Sequence, residues 1–293
     1  MDGIIIINKP QNCTSHDIVY KVKKIVNEKV GHTGTLDPMA TGVLPLLIGK
    51  GTLCSKYLIN HNKIYEVKLK LGIKTTTADK EGEIIEEKNV AKDILEKENV
   101  ENVLKTFLGK QKQTPPIYSA IKVNGKKLYD YARKGQTIEI EPRNIEIYDI
   151  QLLKIDENGN VIEFKVKCSK GTYIRSLCED IACKLGTIGY MCGLNRIQVG
   201  NFNIKDSVTL DELERQFNKN SKSIENEIIK IENLDIFQEN EPIILNDRKL
   251  ELFLNGVKIT QNYGDGIYKV YNNRNFIGIG IVKDKLLKRD IVL

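Results

Sequence analysis

The chain has 293 residues, which is enough for one large domain or for a large and a small one. Its net charge of +6 fits a nucleic-acid partner but does not require one. No apolar run has the length of a membrane span and the start lacks a basic signal region, so we expect a cytoplasmic protein without a membrane segment. The six cysteines form no C-x-x-C pair, so we expect neither disulfides nor a metal site.

The first predicted elements are a strand and a helix. Ile4 to Ile7 is a continuous apolar run, which is typical of a strand buried on both faces. Ser15 is the predicted N-cap of the helix that follows. The apolar residues of this helix fall at helical spacing, at Ile18, Val19, Val22, Ile25 and Val26. A loop from Gly31 to Gly42 then leads into a second apolar segment that ends near Leu58.

The middle of the chain predicts a half-buried strand, a helix and a hairpin. From Tyr65 to Leu71 apolar and charged residues alternate, which is the pattern of a strand in an antiparallel sheet. The polar stretch from Val90 to Leu108 is predicted to be helical and is terminated by Pro115-Pro116. Asn124-Gly125 marks a hairpin turn inside a basic insertion.

Further strands and two helices follow the insertion. The strands are predicted at Thr137 to Ile140, Ile145 to Ile155, Val161 to Cys168 and Met191 to Val199. One helix is predicted to open at Thr172 and to stop at Gly186, a residue suited to the left-handed conformation. Thr209 and Glu212 have the spacing of a capping box for a second, short helix.

The composition changes toward the C-terminal end. Asn218 to Asn233 is rich in Asn, Lys, Glu and Ser, and we interpret it as a linker or an exposed helix. Beyond Glu239, short strands predicted at Ile267 to Tyr271 and Phe276 to Val282 indicate a small β module. The predicted fold is therefore α+β: a mixed, mainly antiparallel sheet with flanking helices over residues 1–235, and a small β module over residues 239–293.

The loop from Gly31 to Gly42 contains the most informative carboxylate. It reads G-H-T-G-T-L-D-P-M-A-T-G and places three glycines, three threonines and a histidine around Asp37. The glycines allow backbone conformations that side chains forbid, and Pro38 restricts the residue before it. An Asp-Pro pair alone is usually only a turn, but this setting predicts an acid presented at a fixed angle.

Five strings, in order, strongly resemble the TruB family of bacterial tRNA pseudouridine synthases, which modify the T arm. They are G-I-I-I-I-N-K-P from Gly3, the Asp37 loop with its flank Ser15 to Asp17, K-I-Y-E-V-K-L-K-L-G from Lys63, P-P-I-Y-S-A-I-K-V-N-G-K-K-L-Y-D-Y-A-R-K-G from Pro115, and C-S-K-G-T-Y-I-R-S-L from Cys168. The resemblance covers about the first 210 residues. It implies the pseudouridine synthase fold followed by a PUA-like domain, and isomerisation of uridine 55 without a cofactor.

The resemblance also implies three catalytic residues. It assigns to Asp37 either attack on C1′ of the uridine or removal of the C2′ proton, and to Arg175 the role of ion-pair partner. Tyr65 is implied to stack on the target uracil, or to accept a proton late in the reaction. The sequence alone allows plainer roles, because Tyr65 lies on the apolar face of its strand and Arg175 lies near the start of a helix.

Substrate-binding residues follow from the same resemblance. His32 is implied to take the place of the flipped base in the stack, Tyr173 to orient the Asp37–Arg175 pair, and Leu194 to line the uracil pocket. Lys9, in the N-K-P string, is placed among the RNA-binding residues.

The basic insertion, residues 115–135, is implied to be a thumb that closes over the T-arm backbone. Its cations are Lys122, Lys126, Lys127, Arg133 and Lys134. A solvated charged hairpin is the alternative interpretation of this segment. One departure is that Thr76 stands where the family often has Asp in T-D-T-x-D, while Asp79 is retained.

Several functions remain open at this stage. The leading hypothesis is a monomeric, stand-alone enzyme that binds the T-stem-loop of tRNA and has no obligate protein partner. The alternatives are a guide-dependent or other-target pseudouridine synthase, a tRNA-folding chaperone with little catalysis, and a nucleoside hydrolase that uses one aspartate. A hydrolase acting on free nucleosides would not need a basic thumb.

Overall fold

The computed structural model describes residues 1–136, 138–237 and 240–293, without the side chains of residues 221–223. The strands within these ranges are β1 (Gly3–Lys9), β2 (Val30–His32), β3 (Thr41–Ile48), β4 (Lys63–Leu71), β5 (Ile73–Thr75), β6 (Ile84–Glu87), β7 (Gly109–Gln113), β8 (Lys122–Val123), β9 (Lys126–Lys127), β10 (Arg143–Asp156), β11 (Val161–Cys168), β12 (Gly189–Val199), β13 (Phe202–Asn203), β14 (Ile229–Lys230), β15 (Ile243–Leu245), β16 (Ile259–Thr260), β17 (Gly266–Asn272), β18 (Asn275–Lys283) and β19 (Leu286–Val292). The α-helices are α1 (Ser15–Val26), α2 (Ser55–Leu58), α3 (Lys97–Lys105), α4 (Leu128–Ala132), α5 (Ile174–Lys184), α6 (Leu210–Lys219) and α7 (Asp247–Leu254).

A mixed sheet forms the first part of the molecule, and within the described ranges it has ten strands. Its order is β14-β1-β3-β12-β4-β11-β10-β7, with β2 added on β3 and β13 on β12. Every pair is antiparallel except β3 with β12, so the predicted mixed, mainly antiparallel sheet is confirmed. Along β4 the apolar residues are buried while Glu66 and Lys68 are exposed, as the alternation predicts.

The three central strands bring the candidate residues together. Arg196 on β12 is in register with Gly42 on β3 and with Tyr65 on β4. Gly42 has φ of +104°, and a Cβ there would lie 2.2 Å from the carbonyl oxygen of Arg196. The close approach of β3 and β12 therefore requires glycine at this position, and the Asp37 loop ends where the two strands meet.

Two helices begin one or two residues from their predicted starts. The N-cap of α1 is Thr14 and not Ser15, because Thr14 and Asp17 form a capping box. The Ser15 hydroxyl is buried and instead bonds to both the N–H and the carbonyl of Leu36, at 2.8 and 3.2 Å. It thereby ties α1 to the loop just before Asp37. α5 starts at Ile174, two residues after the predicted position.

Three further predictions need correction. Only Lys97–Lys105 of the polar stretch is α-helical. Residues 138–140 form no strand, and Thr137 lies outside the described residues. The predicted linker is part of the fold, since β14 within it pairs with β1 and Ile224 and Ile231 are buried.

The C-terminal module is a five-stranded sheet in the order β15-β17-β18-β19-β16, within the described residues. The predicted small β module is thus confirmed, and it also contains α7, which the sequence patterns did not predict. Ile279 and Ile291 of the module share an apolar cluster with Ile4 and Ile6 of β1. Asp290 accepts hydrogen bonds from Lys56 and Tyr57, which joins the module to α2.

The predicted start of the module, Glu239, lies outside the described residues. Among the helices of the described ranges, none combines the length and the apolar character needed to cross a membrane.

Candidate active site

The Asp37 loop opens into a cavity of about 890 Å³. The cavity is walled by the loop, the start of β4, the N-terminal end of α5, the middle of β12 and the first half of the insertion. The candidate residues that line it are His32, Asp37, Tyr65, Tyr173, Arg175 and Leu194. The structure therefore places in one cavity residues that are up to 162 positions apart in the chain.

Asp37 and Arg175 form an ion pair at the floor of this cavity. The Nε of Arg175 lies 3.2 Å from Oδ2 of Asp37, and its Nη1 lies 3.5 Å from Oδ2 of Asp79. Arg175 also donates to the carbonyl oxygens of Thr77 and Tyr118, at 3.3 and 2.9 Å. With its side chain only 9% exposed, Arg175 is fixed by contacts on both sides of the pair.

The pKa of Asp37 is raised above its ordinary value, chiefly because the carboxyl is removed from bulk water. The charge of Asp79 raises it further, while the charges of Arg175 and Lys9 act against the rise. One third of the Asp37 side chain is still open to the cavity, so the carboxylate can reach a substrate. The arrangement yields an accessible, oriented carboxylate whose ionised form depends on Arg175.

Asp79 is held more tightly than Asp37. Its Oδ1 accepts from the Thr77 hydroxyl at 2.6 Å and from the N–H of Glu81 at 3.0 Å, and its side chain is 5% exposed. Thr76, which replaces the frequent family carboxylate, is exposed and accepts from the N–H of Glu83 at 3.1 Å. In this chain Thr76 therefore stabilises the β5–β6 turn and does not face the cavity.

The Asp37 loop is fixed from both ends by buried polar groups. Arg196, which is 2% exposed, donates to the carbonyl oxygens of Gly34 and Val43 at 3.1 and 2.8 Å. Arg196 is not among the residues predicted from the sequence, although its position two residues after the candidate Leu194 is a usable signal. Because a buried arginine without a carboxylate is costly, its contacts are expected to hold this loop in one conformation.

Lys9 differs from its predicted role in RNA binding. The side chain is fully buried, and Nζ donates to the carbonyl oxygens of Pro10, Cys13 and Pro38 at 2.9, 2.7 and 3.3 Å. All three of its donors are thus used within the protein. Lys9 cannot contact a phosphate in this arrangement, and it supports the residue that follows Asp37.

His32 and Tyr173 also line the cavity. His32 is half-buried, its Nδ1 has no hydrogen-bond partner, and its pKa is lowered because burial and the charge of Arg196 disfavour the imidazolium. A neutral imidazole ring is suited to stacking between bases. Tyr173 precedes α5, where its N–H and carbonyl both bond to the Gln113 side chain at 2.8 and 3.0 Å.

Tyr65 lies on the cavity wall beside Leu194, with 8% of its surface exposed. Burial raises the pKa of its hydroxyl, and the nearby charge of Arg196 opposes this rise. The phenol is therefore neutral near pH 7, and the aromatic ring can stack on a base that enters the cavity.

For the isomerisation that the family resemblance implies, we expect Tyr65→Leu to lower the single-turnover rate by about 10–100-fold, the loss of one base–aromatic stack. Tyr65→Phe is the matched variant, since it keeps the ring and removes only the hydroxyl. Retained activity in Tyr65→Phe would indicate that the ring acts by stacking on the base. Loss of turnover with normal RNA binding would indicate that the hydroxyl takes part in a proton transfer. Near-normal rates in both variants would reduce Tyr65 to a core residue.

The insertion forms the outer wall of the cavity. Tyr118, Ser119, Ala120 and Tyr129 line it, and the predicted Asn124-Gly125 turn joins β8 to β9 with positive φ at both residues. Lys127 and Arg133 lie over the Tyr129 ring, at 5.1 and 5.4 Å from its centroid. Lys122, Lys126 and Arg133 are exposed, so these cations face solvent.

Two family models match the chain. One, described as "TruB family pseudouridylate synthase (N terminal domain)", covers residues 22–174. The other, described as "tRNA pseudouridylate synthase B C-terminal domain", covers residues 175–234.

Curated relatives match over almost their whole length. "tRNA pseudouridine synthase B" of Clostridium kluyveri is 44% identical and covers 97% of this chain and 96% of the relative. The protein of the same name from Francisella philomiragia is 39% identical and covers 100% and 97%. Among solved structures, a Cbf5-Nop10-Gar1 complex contains a chain that is 25% identical with a TM-score of 0.69, over 96% of this chain and 78% of that one.

Proposed function

The chain belongs to the TruB family of pseudouridylate synthases, and from this membership we propose that it isomerises uridine 55 in the T arm of tRNA to pseudouridine. The observation that carries the proposal is the Asp37–Arg175 pair, with its 3.2 Å contact, in a cavity lined by Tyr65 and Leu194. Relatives with near-complete coverage are named tRNA pseudouridine synthase B, which supports tRNA as the substrate.

The reaction breaks the N1–C1′ bond of uridine, turns the base and forms a C5–C1′ bond. The proton of C5 is lost and N1 gains one, so the product is an isomer and no group or electron comes from outside. We therefore propose that no cofactor takes part. Asp37 serves as its carboxylate, attacking C1′ or removing the C2′ proton, and Arg175 keeps it ionised and oriented.

Access to the base requires that uridine leave the folded T loop. Such flipping costs a few kcal/mol in lost stacking. We propose that His32, on the rim of the cavity, fills the vacated position, while Tyr65 and Leu194 hold the extruded uracil. Tyr173 and the Arg175 contact to Tyr118 orient the catalytic pair beneath it.

We propose a monomer that acts without a guide RNA or protein partner. The bacterial relatives at 38–45% identity are named tRNA pseudouridine synthase B. The Cbf5 chain, which belongs to a complex with Nop10 and Gar1, is 25% identical. Residues 1–235 then form the catalytic domain with its thumb, and residues 239–293 form a PUA-like RNA-binding domain. The shared apolar cluster and the Asp290 contacts support a module held beside the catalytic sheet.

The test is incubation of the purified chain with an unmodified tRNA transcript, followed by chemical mapping of pseudouridine. A transcript with cytidine at position 55 is the matched control. A single modification at position 55 of the first transcript supports the proposal. Tight binding without any product would instead favour a tRNA-folding chaperone, and modification elsewhere would favour another RNA target.

The thumb gives a second test of RNA binding. Replacing Lys126, Lys127 and Arg133 by Ala is expected to weaken tRNA binding and to flatten its salt dependence, by roughly 2–3 units in the slope of log affinity against log salt. Lys97, Lys105 and Lys154 are exposed lysines that do not line the cavity, and their triple Ala variant is the control. An unchanged slope in the thumb variant would indicate that this segment is a solvated surface hairpin that does not contact the RNA phosphates.

A further inference from the structure

The active-site cavity carries more positive charge than its catalytic pair requires. Its charged lining residues are Asp37, Lys63, Arg143, Lys170, Arg175 and Arg196. Asp37 is the only carboxylate among these lining residues, and it is paired with Arg175. Within the described part of the chain, Lys63, Arg143, Lys170 and Arg196 form no ion pair. The free cavity is therefore suited to an anion in addition to the uracil base.

Lys63 occupies an unusual position for a lysine. It is half-buried at the start of β4, and its Nζ donates to the carbonyl oxygen of His61 at 2.7 Å. Burial, together with the charges of Arg196 and Lys170, lowers its pKa to about 8. A cation held among cations, with no carboxylate partner, is stabilised when an anion binds beside it.

Lys170 is anchored to the same loop as Lys63. Its Nζ donates to Oδ1 of Asn60 at 2.6 Å, one residue from the His61 carbonyl that receives Lys63. The register of β4 with β11 pairs Lys63 with Cys168, which brings the two lysine-bearing segments together. Each ammonium has three donors and uses one of them on an acceptor in the described part of the chain, which leaves two donors on each lysine for a ligand.

We propose that Lys63 and Lys170 form a phosphodiester subsite at the edge of the active-site cavity, which binds the backbone phosphate next to the flipped uridine. The inference rests on the proposed function, because a nucleotide whose base enters the cavity brings its own phosphate to the opening. Lysine acts here as a point charge with free donors, which suits a phosphate. The contact is independent of sequence and helps to hold the extruded nucleotide.

The experiment measures equilibrium binding of a T-stem-loop RNA to the full chain, in an Asp37→Asn background so that the uridine is not converted. Lys63→Met and Lys170→Met are compared with Lys105→Met, which removes an exposed lysine outside the cavity. Each protein is titrated with the natural RNA and with RNAs that carry one neutral methylphosphonate, either 5′ or 3′ of the target uridine or in the distal stem.

With natural RNA we expect Lys63→Met to weaken binding about tenfold or more, the loss of a charge-assisted hydrogen bond, and Lys105→Met to change it little. With the methylphosphonate at one of the two positions that flank the target uridine, Lys63→Met should no longer weaken binding. The distal methylphosphonate should leave it intact. Lys63→Arg should restore part of the affinity for natural RNA.

An equal loss with every RNA would mean that Lys63 only supports the fold, and it would overturn the subsite. So would an unchanged affinity in both Lys63→Met and Lys170→Met. The proposed function is tested separately, since the parent chain converts uridine 55 or fails to do so whatever the outcome of this binding experiment.

Discussion

Replacing Asp37 by Asn is expected to abolish isomerisation, with a loss of at least about 10⁴-fold in single turnover. The amide has nearly the same size and keeps a hydrogen bond to Arg175, but it can neither attack C1′ nor accept a proton. Affinity for tRNA should stay within a few fold, because the thumb and its cations are untouched. The measurements are release of tritium from C5-labelled uridine in tRNA and equilibrium binding.

Asp93→Asn is the matched control, since Asp93 is exposed and does not line the cavity. It should retain full activity. Measurable turnover by a purified Asp37→Asn protein, free of parent enzyme, would refute the catalytic assignment of Asp37.

Arg175→Met should lower turnover by at least about 100-fold, because it removes the charge that orients Asp37 and favours its ionised form. It also leaves the buried Asp79 without its cation, so the free energy of unfolding should fall by up to about 3–5 kcal/mol. Arg175→Lys is the control: it keeps the positive charge but cannot make the four contacts of the guanidinium together. We expect its activity to lie between those of the parent and Arg175→Met.

The pH profile separates the catalytic role of Arg175 from its structural one. The proposed mechanism requires ionised Asp37, whose pKa is already raised by burial, so we expect activity to be lost as pH falls through a value above that of an ordinary aspartate. Without Arg175 the pKa of Asp37 rises further, and the acidic limb of kcat/KM should move to higher pH. A variant of low activity with an unmoved limb would assign Arg175 to the fold alone.

Local patterns in the sequence predicted the elements that depend on few neighbours. The alternation from Tyr65 to Leu71 specifies β4, because a strand with one buried face records its orientation in every second residue. Asn124-Gly125 specifies its turn, because both residues tolerate positive φ. The position of Asp37 in a constrained loop was also predictable, although its proposed catalytic role depends on the family.

Contacts across the chain were not predictable in this way. Thr14 and Ser15 are both good caps, and only the burial of Ser15 against Leu36 decides which of them is used. The polar composition of residues 218–233 indicates a linker, whereas two isoleucines in this stretch are buried and pack it against the fold. Arg196 and Lys9 are charged residues whose partners are backbone carbonyls, and a sequence does not show which carbonyls will be free to accept.

The apolar cluster that joins β1 to the C-terminal module also constrains how the chain folds during synthesis. Ile4 and Ile6 are synthesised well before Ile291, and all three lie in this one cluster. At about 5–20 residues per second, the outer face of β1 remains incompletely covered for many seconds after it emerges. The face of β1 that carries Ile4 and Ile6 can complete its burial only after β19 has been synthesised, so folding of the first sheet depends on a strand made much later.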